Sequence, residues 1–370
     1  MKLFQCQSCA QPLYFENSQC LSCGQRLGYL PPRQIMATLR PAGNAWQAVA
    51  GAKGLYRYCA NVQFEICNWL VPVQSPHSLC AACRHNRTIP NLAEPGNLEH
   101  WRKIEIAKHR LFYTLLRLRL PLAVRPDDPD GLAFDFLNST DAPVMTGHDN
   151  GLITINLAEA DDVQRERQRG QMGEPYRTLL GHFRHEIAHY YWGRLVNNGP
   201  NLQQFRTIFG DEQQDYPMAL QRHYANGAPA NWPEYFVTAY ASSHPWEDFA
   251  ETWAHYFHMV DTLETASAFG LMVRPKLAKP DRLSTKIDFD PHEADLDRLI
   301  ETWLPLTFAA NALNRSMGLP DLYPFVLTPA VIVKLAFVHE QIHHNAHAKR
   351  SGGTLRAIAA GLRRHVGLSQ

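Results

Sequence analysis

The chain has 370 residues, 45% of them hydrophobic, which is enough for a packed core in two or three domains and excludes wholesale disorder. Lysine and arginine number 36 against 35 acids, a formal charge of +1, so no global field draws the molecule to nucleic acid or an anionic membrane. The opening MKLFQCQSCA lacks the apolar core of a secretory signal, and the most apolar late stretch, 325–338, carries a Pro and a Lys and is too short to span a bilayer. The expectation is a soluble, cytoplasmic protein with no membrane partner.

All eight cysteines precede residue 84. Three pairs are C-x-x-C, namely Cys6/Cys9, Cys20/Cys23 and Cys80/Cys83; Cys59 and Cys67 complete the set. Without a signal peptide this spacing points to metal thiolates rather than disulfides. Each C-x-x-C turn aims two sulfurs at one point, so Cys6, Cys9, Cys20 and Cys23 make a tetrahedral structural zinc site. Cys59, Cys67, Cys80 and Cys83 supply a second. Three alternatives stay open there: His77 could replace one thiolate, the two groups could interleave, and Cys59 and Cys67 could be buried free thiols.

Residues 84–97, rich in Asn, Pro and Gly, read as a linker or surface loop, which puts a domain boundary near 95. Residues 1–95 form the cysteine-rich ribbon domain and 96–348 the second domain. A helix follows over 97–120, with Trp101, Ile104, Ile106, Leu111, Leu115 and Leu118 as its apolar stripe and Pro121 as its stop. In 143–157, Asn150-Gly151 marks a hairpin turn before the alternating LITINL. Such a hairpin is either an ordinary surface element or an edge strand that adds an extended peptide beside a cleft.

Residues 182–192 read HFRHEIAHYYW and contain an H-E-x-x-H at His185, Glu186 and His189. Pro175 suits the first turn of this helix, and Asn197-Asn198-Gly199-Pro200 stops it. Leu180, Phe183, Ile187, Tyr191 and Leu195 recur at three- and four-residue steps, leaving both imidazoles on the other face. A second H-E-x-x-H lies at His339, Glu340 and His343, but no acid follows Glu340, so no acidic ligand can come from downstream. His339 and His343 are expected on the polar face of a helix whose Val331, Leu335 and Val338 pack inward.

Two imidazoles do not complete a catalytic zinc site; a third protein ligand is required, with one position left for water. The stretch HPWEDFAETWAHYFH, 244–258, supplies candidates. Ser243 and Pro245 read as a helix start, Trp246, Phe249, Ala250, Trp253 and Phe257 as its apolar face, and Glu247, Glu251 and His255 lie four apart on another. Glu247 is expected to bind zinc and Glu251, one turn on, to accept the N–H of a ligand histidine. Glu251 as ligand is the runner-up, and His255 comes third. Trp192 and Leu195 stand where a metzincin requires Gly and His, which excludes that class and leaves the gluzincin branch. Glu186 would take a proton from zinc-activated water and pass it to the leaving amine.

The cysteine-rich block, HFRHEIAHYYW, IFGDEQQDY and HPWEDFAETWAHYFHMVDTLETA together resemble a bacterial family of zinc-binding metallopeptidases with an N-terminal zinc ribbon. The resemblance covers roughly 1–340. It implies a zincin-like catalytic domain with His185, His189 and an acidic ligand in EDFAE. Tyr240, seven residues before Glu247, stands where some gluzincins place an oxyanion-binding tyrosine; packing on an amphipathic turn is the competing reading. Asp211, Glu212 and Asp215 read as a capped, solvated turn rather than as groups supporting the site.

The expected fold is therefore α+β and mainly helical: a zinc ribbon, then a zincin-like domain with a small β-sheet, then a basic tail, 349–370. The expected cofactors are one catalytic and two structural zinc ions. The expected function is hydrolysis of a peptide or protein substrate. The alternative is a non-catalytic module whose ribbon binds a protein or nucleic acid; the tail, with five Lys/Arg and no acid, is either a phosphate contact or a solvated terminus.

Overall fold

The computed structural model describes residues 1–138, 144–172, 176–197, 199–277 and 283–350, with the side chains of 171–172 and 345–350 outside the description. Pro175, Asn198 and the tail beyond 350 therefore lie outside the described residues.

The first 72 residues are built on short antiparallel strands, with 3-10 turns at Pro31–Arg33 and Ala60–Phe64. Strands β1 (Phe4–Gln5) and β2 (Pro12–Leu13) pair as a hairpin that carries Cys6 and Cys9 at its turn. Then β3 (Arg26–Leu30), β4 (Ile35–Ala42), β5 (Ala45–Ala48), β6 (Leu55–Tyr58) and β7 (Leu70–Pro72) form a five-stranded antiparallel sheet in that order. The second cysteine group comes from the turns around β6 and β7 and from the loop after them.

Strand β8 (Asn86–Thr88) leaves the cysteine block and leads into α1 (Asn97–Arg117), which crosses back to β9 (Ala133–Leu137), parallel to β8. The hairpin of β10 (Gly147–Asp149) and β11 (Leu152–Asn156) completes a second sheet, ordered β10-β11-β9-β8. Strand β8 precedes residue 95, yet it belongs to this second sheet. One continuous buried cluster, running from Phe4 and Trp69 through Trp101 and Phe134 to Trp253, joins the ribbon to the helical part.

Asn150 and Gly151 both adopt positive φ, 45° and 81°, the twist that a two-residue hairpin needs. A Cβ at position 151 would stand 2.7 Å from the Gly131 carbonyl oxygen, so glycine is required there. Helix α1 stops at Arg117, three residues short of the expectation, because Arg119 turns left-handed (φ 56°) and Leu120 N–H bonds back to Leu115 O at 3.0 Å. Trp101, Ile104, Leu111 and Leu115 are fully buried as the stripe requires, while Ile106 is only half-buried.

The helices that follow are α2 (Asp162–Met172), α3 (Leu179–Leu195), α4 (Leu202–Phe209), α5 (Tyr216–Asn226), α6 (Trp232–Tyr235), α7 (Pro245–Ala268), α8 (Leu296–Ser316) and α9 (Pro329–Arg350). A two-stranded ribbon of β12 (Met272–Val273) and β13 (Thr285–Lys286) links α7 to α8. The most extensive helix pairing is α3 against α7, sealed by Phe183, Ile187, Tyr191, Phe249 and Trp253, all fully buried. Tyr191 stacks on Trp253 with centroids 5.2 Å apart. Among the described residues, no helix is long and apolar enough to cross a membrane.

Candidate metal centre

Helix α3 begins at Leu179, where the Thr178 hydroxyl accepts the Gly181 N–H at 3.0 Å. Helix α7 begins at Pro245, and its cap is His244 rather than Ser243: the ring Nδ1 accepts the Trp246 N–H at 3.1 Å. The apolar packing of α3 on α7 sets the rotation of each helix, and the two polar faces meet.

The structure brings His185, His189 and Glu247 together. His185 Nε2 and His189 Nε2 are 3.3 Å apart. Glu247 Oε2 is 2.9 Å from His185 Nε2, and Glu247 Oε1 is 3.5 Å from His189 Nε2. A tetrahedral zinc with bonds of about 2.0–2.1 Å requires donor atoms roughly 3.3–3.4 Å apart. Glu247 Oε2 is moreover buried without a hydrogen-bond partner, an orphan that a cation among the three donors would satisfy. The residues present fit zinc.

Glu251 contacts the other nitrogen of His185: Oε1 is 2.6 Å from Nδ1, while Oε2 accepts the Thr238 hydroxyl at 2.8 Å. That hydrogen bond fixes which nitrogen His185 turns toward the donors. His255, the third candidate, turns away and bonds Tyr323 Oη at 2.8 Å. Glu186 is buried beside the cluster, and burial raises its carboxyl to about 6. Burial also holds His189 down at about 3, so it presents a neutral imidazole, the ligating form.

Tyr240 occupies a short helical turn, 240–243, with its ring centroid 6.0 Å from that of His185. Sequence reasoning missed Tyr216, whose hydroxyl donates to Glu247 Oε1 at 2.7 Å. It also missed His148 of the edge strand β10, whose ring lies 6.1 Å from His189 and 6.2 Å from Trp246. The hairpin and the option of an edge strand beside a cleft were legible; that His148 faces His189 was not. In the turn before α5, Asp215 caps the Met218 N–H at 3.0 Å, Asp211 accepts the Gln213 N–H at 3.0 Å, and Glu212 pairs with Arg206 at 2.6 Å.

The second H-E-x-x-H is built differently. Val331, Leu335 and Val338 pack inward as expected, but His339 and His343 do not lie on a free polar face. Both turn onto the Tyr256 hydroxyl, at 3.0 Å and 3.2 Å, because α9 packs against α7 there. Glu340 is exposed, away from them.

The eight thiols, all unpaired, fall into two groups without interleaving: Cys6, Cys9, Cys20 and Cys23, then Cys59, Cys67, Cys80 and Cys83. The sulfurs of Cys6 and Cys23 are 3.7 Å apart, those of Cys9 and Cys20 3.6 Å, and those of Cys67 and Cys80 3.7 Å. Tetrahedral zinc with Zn–S bonds of about 2.3 Å needs sulfurs roughly 3.8 Å apart, so both groups fit the ion. His77 stays exposed and outside the second group. His109 of α1 stands against it instead, with Nε2 at 3.3 Å from Cys67 Sγ.

This combination defines a zinc-ribbon protein with a helical metal centre, and comparison with known proteins agrees. A family model described as "Putative zinc-binding metallo-peptidase" matches residues 97–341, and a zinc-ribbon domain model matches 3–94. The chain belongs to that metallopeptidase family. It is 43% identical over 359 residues to an uncharacterized protein of Mycobacterium tuberculosis H37Rv, Rv2568c, and to one of Mycobacterium bovis, Mb2598c. Each match covers 95% of this chain and all of the relative. No solved structure matches the chain.

Proposed function

We propose that the protein is a zinc-dependent peptidase of the gluzincin type, with His185, His189 and Glu247 as the ligands of one catalytic zinc. The observation that carries this reading is three donors at tetrahedral spacing with a buried carboxylate, Glu186, on the adjoining helix position. A zinc ion held there would supply Lewis acidity, acidifying a water and polarising the substrate carbonyl. Glu186 takes the proton from the attacking water and delivers it to the leaving amine; its raised carboxyl suits both halves of that transfer. Glu251 orients His185, and Tyr216 holds Glu247. Tyr240 donates to the oxygen on which charge develops. An extended peptide lies along the free edge of β10, next to His189.

On the same reading residues 1–95 are a ribbon unit with two structural zinc ions and 96–348 the catalytic unit. Eight unpaired thiols suit the reducing cytoplasm. A complete donor set with its base weighs against a binding module whose catalytic half has decayed. The test is metal dependence: peptide cleavage that stops on mild chelation and returns with one equivalent of zinc. Cleavage that persists after the catalytic zinc is removed would overturn the proposal.

A further inference from the structure

The two thiolate groups differ in how their sulfurs are supported. The first is self-contained and partly open: Cys9 and Cys23 are exposed, and Cys6 meets the Thr38 hydroxyl of β4 at 3.6 Å. The second is buried at all four positions. Four thiolates around a divalent zinc carry a net charge of −2, and burying that charge is costly without donors. The ribbon's own backbone supplies three: Cys80 N–H to Cys59 Sγ at 3.3 Å, Trp69 N–H to Cys67 Sγ at 3.4 Å, and Cys83 N–H to Cys80 Sγ at 3.4 Å. Cys83 Sγ has no backbone donor among the described residues.

What faces it is His109 of α1. Its Nε2 is 3.7 Å from Cys83 Sγ and 3.3 Å from Cys67 Sγ. Its Nδ1 is 2.6 Å from the Glu105 carbonyl oxygen and 3.4 Å from Glu105 Oε2. Nδ1 thus faces a carbonyl and a carboxylate oxygen, which only accept, and Nε2 faces the two sulfurs. The Trp69 ring packs edge-on against the imidazole at 5.0 Å and holds its plane. Glu105 Oε2 also stands 4.0 Å from Cys83 Sγ, a like-charge approach that Lys108 offsets from 2.8 Å on the same carboxylate, with Asn86 donating at 2.7 Å.

We propose that His109 completes the second zinc site from outside the ribbon, donating Nε2–H to the thiolates of Cys67 and Cys83, so that this metal fastens the ribbon to α1. The next turn of α1 carries the connection onward. Tyr113 donates to Glu264 Oε1 at 2.7 Å and Thr114 to Asp261 at 2.8 Å, both on α7, the helix of Glu247 and Glu251. The second metal is then a joint between the ribbon and the metal-centre helices, whereas the first belongs to the ribbon alone. This inference does not depend on peptidase activity.

The direct test uses the full-length wild type loaded with cadmium-113. Scalar coupling through N–H···S bonds should link one tetrathiolate cadmium to the backbone N–H of Trp69 and Cys80 and also to the His109 Nε2 proton. Backbone couplings without the imidazole coupling would overturn the proposal. So would a large direct coupling from cadmium to the His109 nitrogen, which would make it a ligand. In parallel, His109→Phe should make one class of structural zinc leave to a chelator about 10–100 times faster, with His109→Gln intermediate because its amide still donates. Release of all zinc at the wild-type rate from His109→Phe would contradict it.

Discussion

Glu251 holds a ring nitrogen of His185 from α7, Glu186 follows that histidine on α3, and the difference between them is a matter of which nitrogen or proton each can reach. Glu251 holds Nδ1 of His185, so Glu251→Gln should weaken binding of zinc by the proposed donor set about 10–100-fold, read by chelator competition. Among the described residues no hydrogen bond joins Glu186 to a ring nitrogen of His185 or His189, so Glu186→Gln should keep its zinc. Tyr216 and Tyr240 separate in the same way. Tyr216→Phe removes the donor to Glu247 and should lower zinc affinity roughly tenfold. Tyr240→Phe should leave zinc affinity unchanged and lower kcat by about 10²–10³. Equal effects of the two tyrosine substitutions on both quantities would refute this division. The histidines and the two glutamates were legible because i, i+4 spacing on one helix is a local property. Tyr216 was not singled out, although it ends the IFGDEQQDY segment of the resemblance: it lies 31 residues from Glu247 on another helix, and spacing alone does not tell that it folds back.

At the scale of elements, the site exists because α3 and α7 pack face to face with fixed rotation. Removing Trp253, stacked on Tyr191 in that seam, should cost about 3–5 kcal/mol and loosen the donors together. Thr178→Ala, which removes only the α3 cap, should cost about 1 kcal/mol and leave the metal in place. Denaturant unfolding with metal analysis measures both; a Trp253→Ala protein as stable as the wild type would contradict the role given to the seam. The apolar periodicities of α1 and α7 are legible in the sequence, because burial follows side-chain spacing. Their ends are less so: Arg119 in a left-handed turn ends α1 early, and a histidine, not a serine, caps α7. The i, i+4 pair His339 and His343 was expected to face water, but α9 lies on α7 and Tyr256 takes both rings. Periodicity assigns a residue to a face without telling what covers that face.

For the whole molecule, β8 and α1 make the cysteine block and the helical part share a sheet and a core. Eight cysteines before residue 84 announced a ribbon, and the grouping into two fours followed chain order. That His109, inside a helix read only for its apolar stripe, reaches the second group depends on tertiary docking and leaves no local mark. The exposure difference predicts an order of attack: a thiol alkylator should modify Cys9 and Cys23 well before any of the four cysteines of the second group, as mapped by mass spectrometry. Early modification of Cys59 or Cys67 would show that the second group opens independently of the rest.

Peptidase activity through Glu186 is read by incubating a diverse peptide library with the zinc-loaded wild type and with Glu186→Gln, and following cleavage by mass spectrometry. Discrete cuts by the wild type and none by the variant at equal zinc content are expected. A wild type that leaves every peptide intact with its zinc in place, or a variant that cuts as the wild type does, would contradict it.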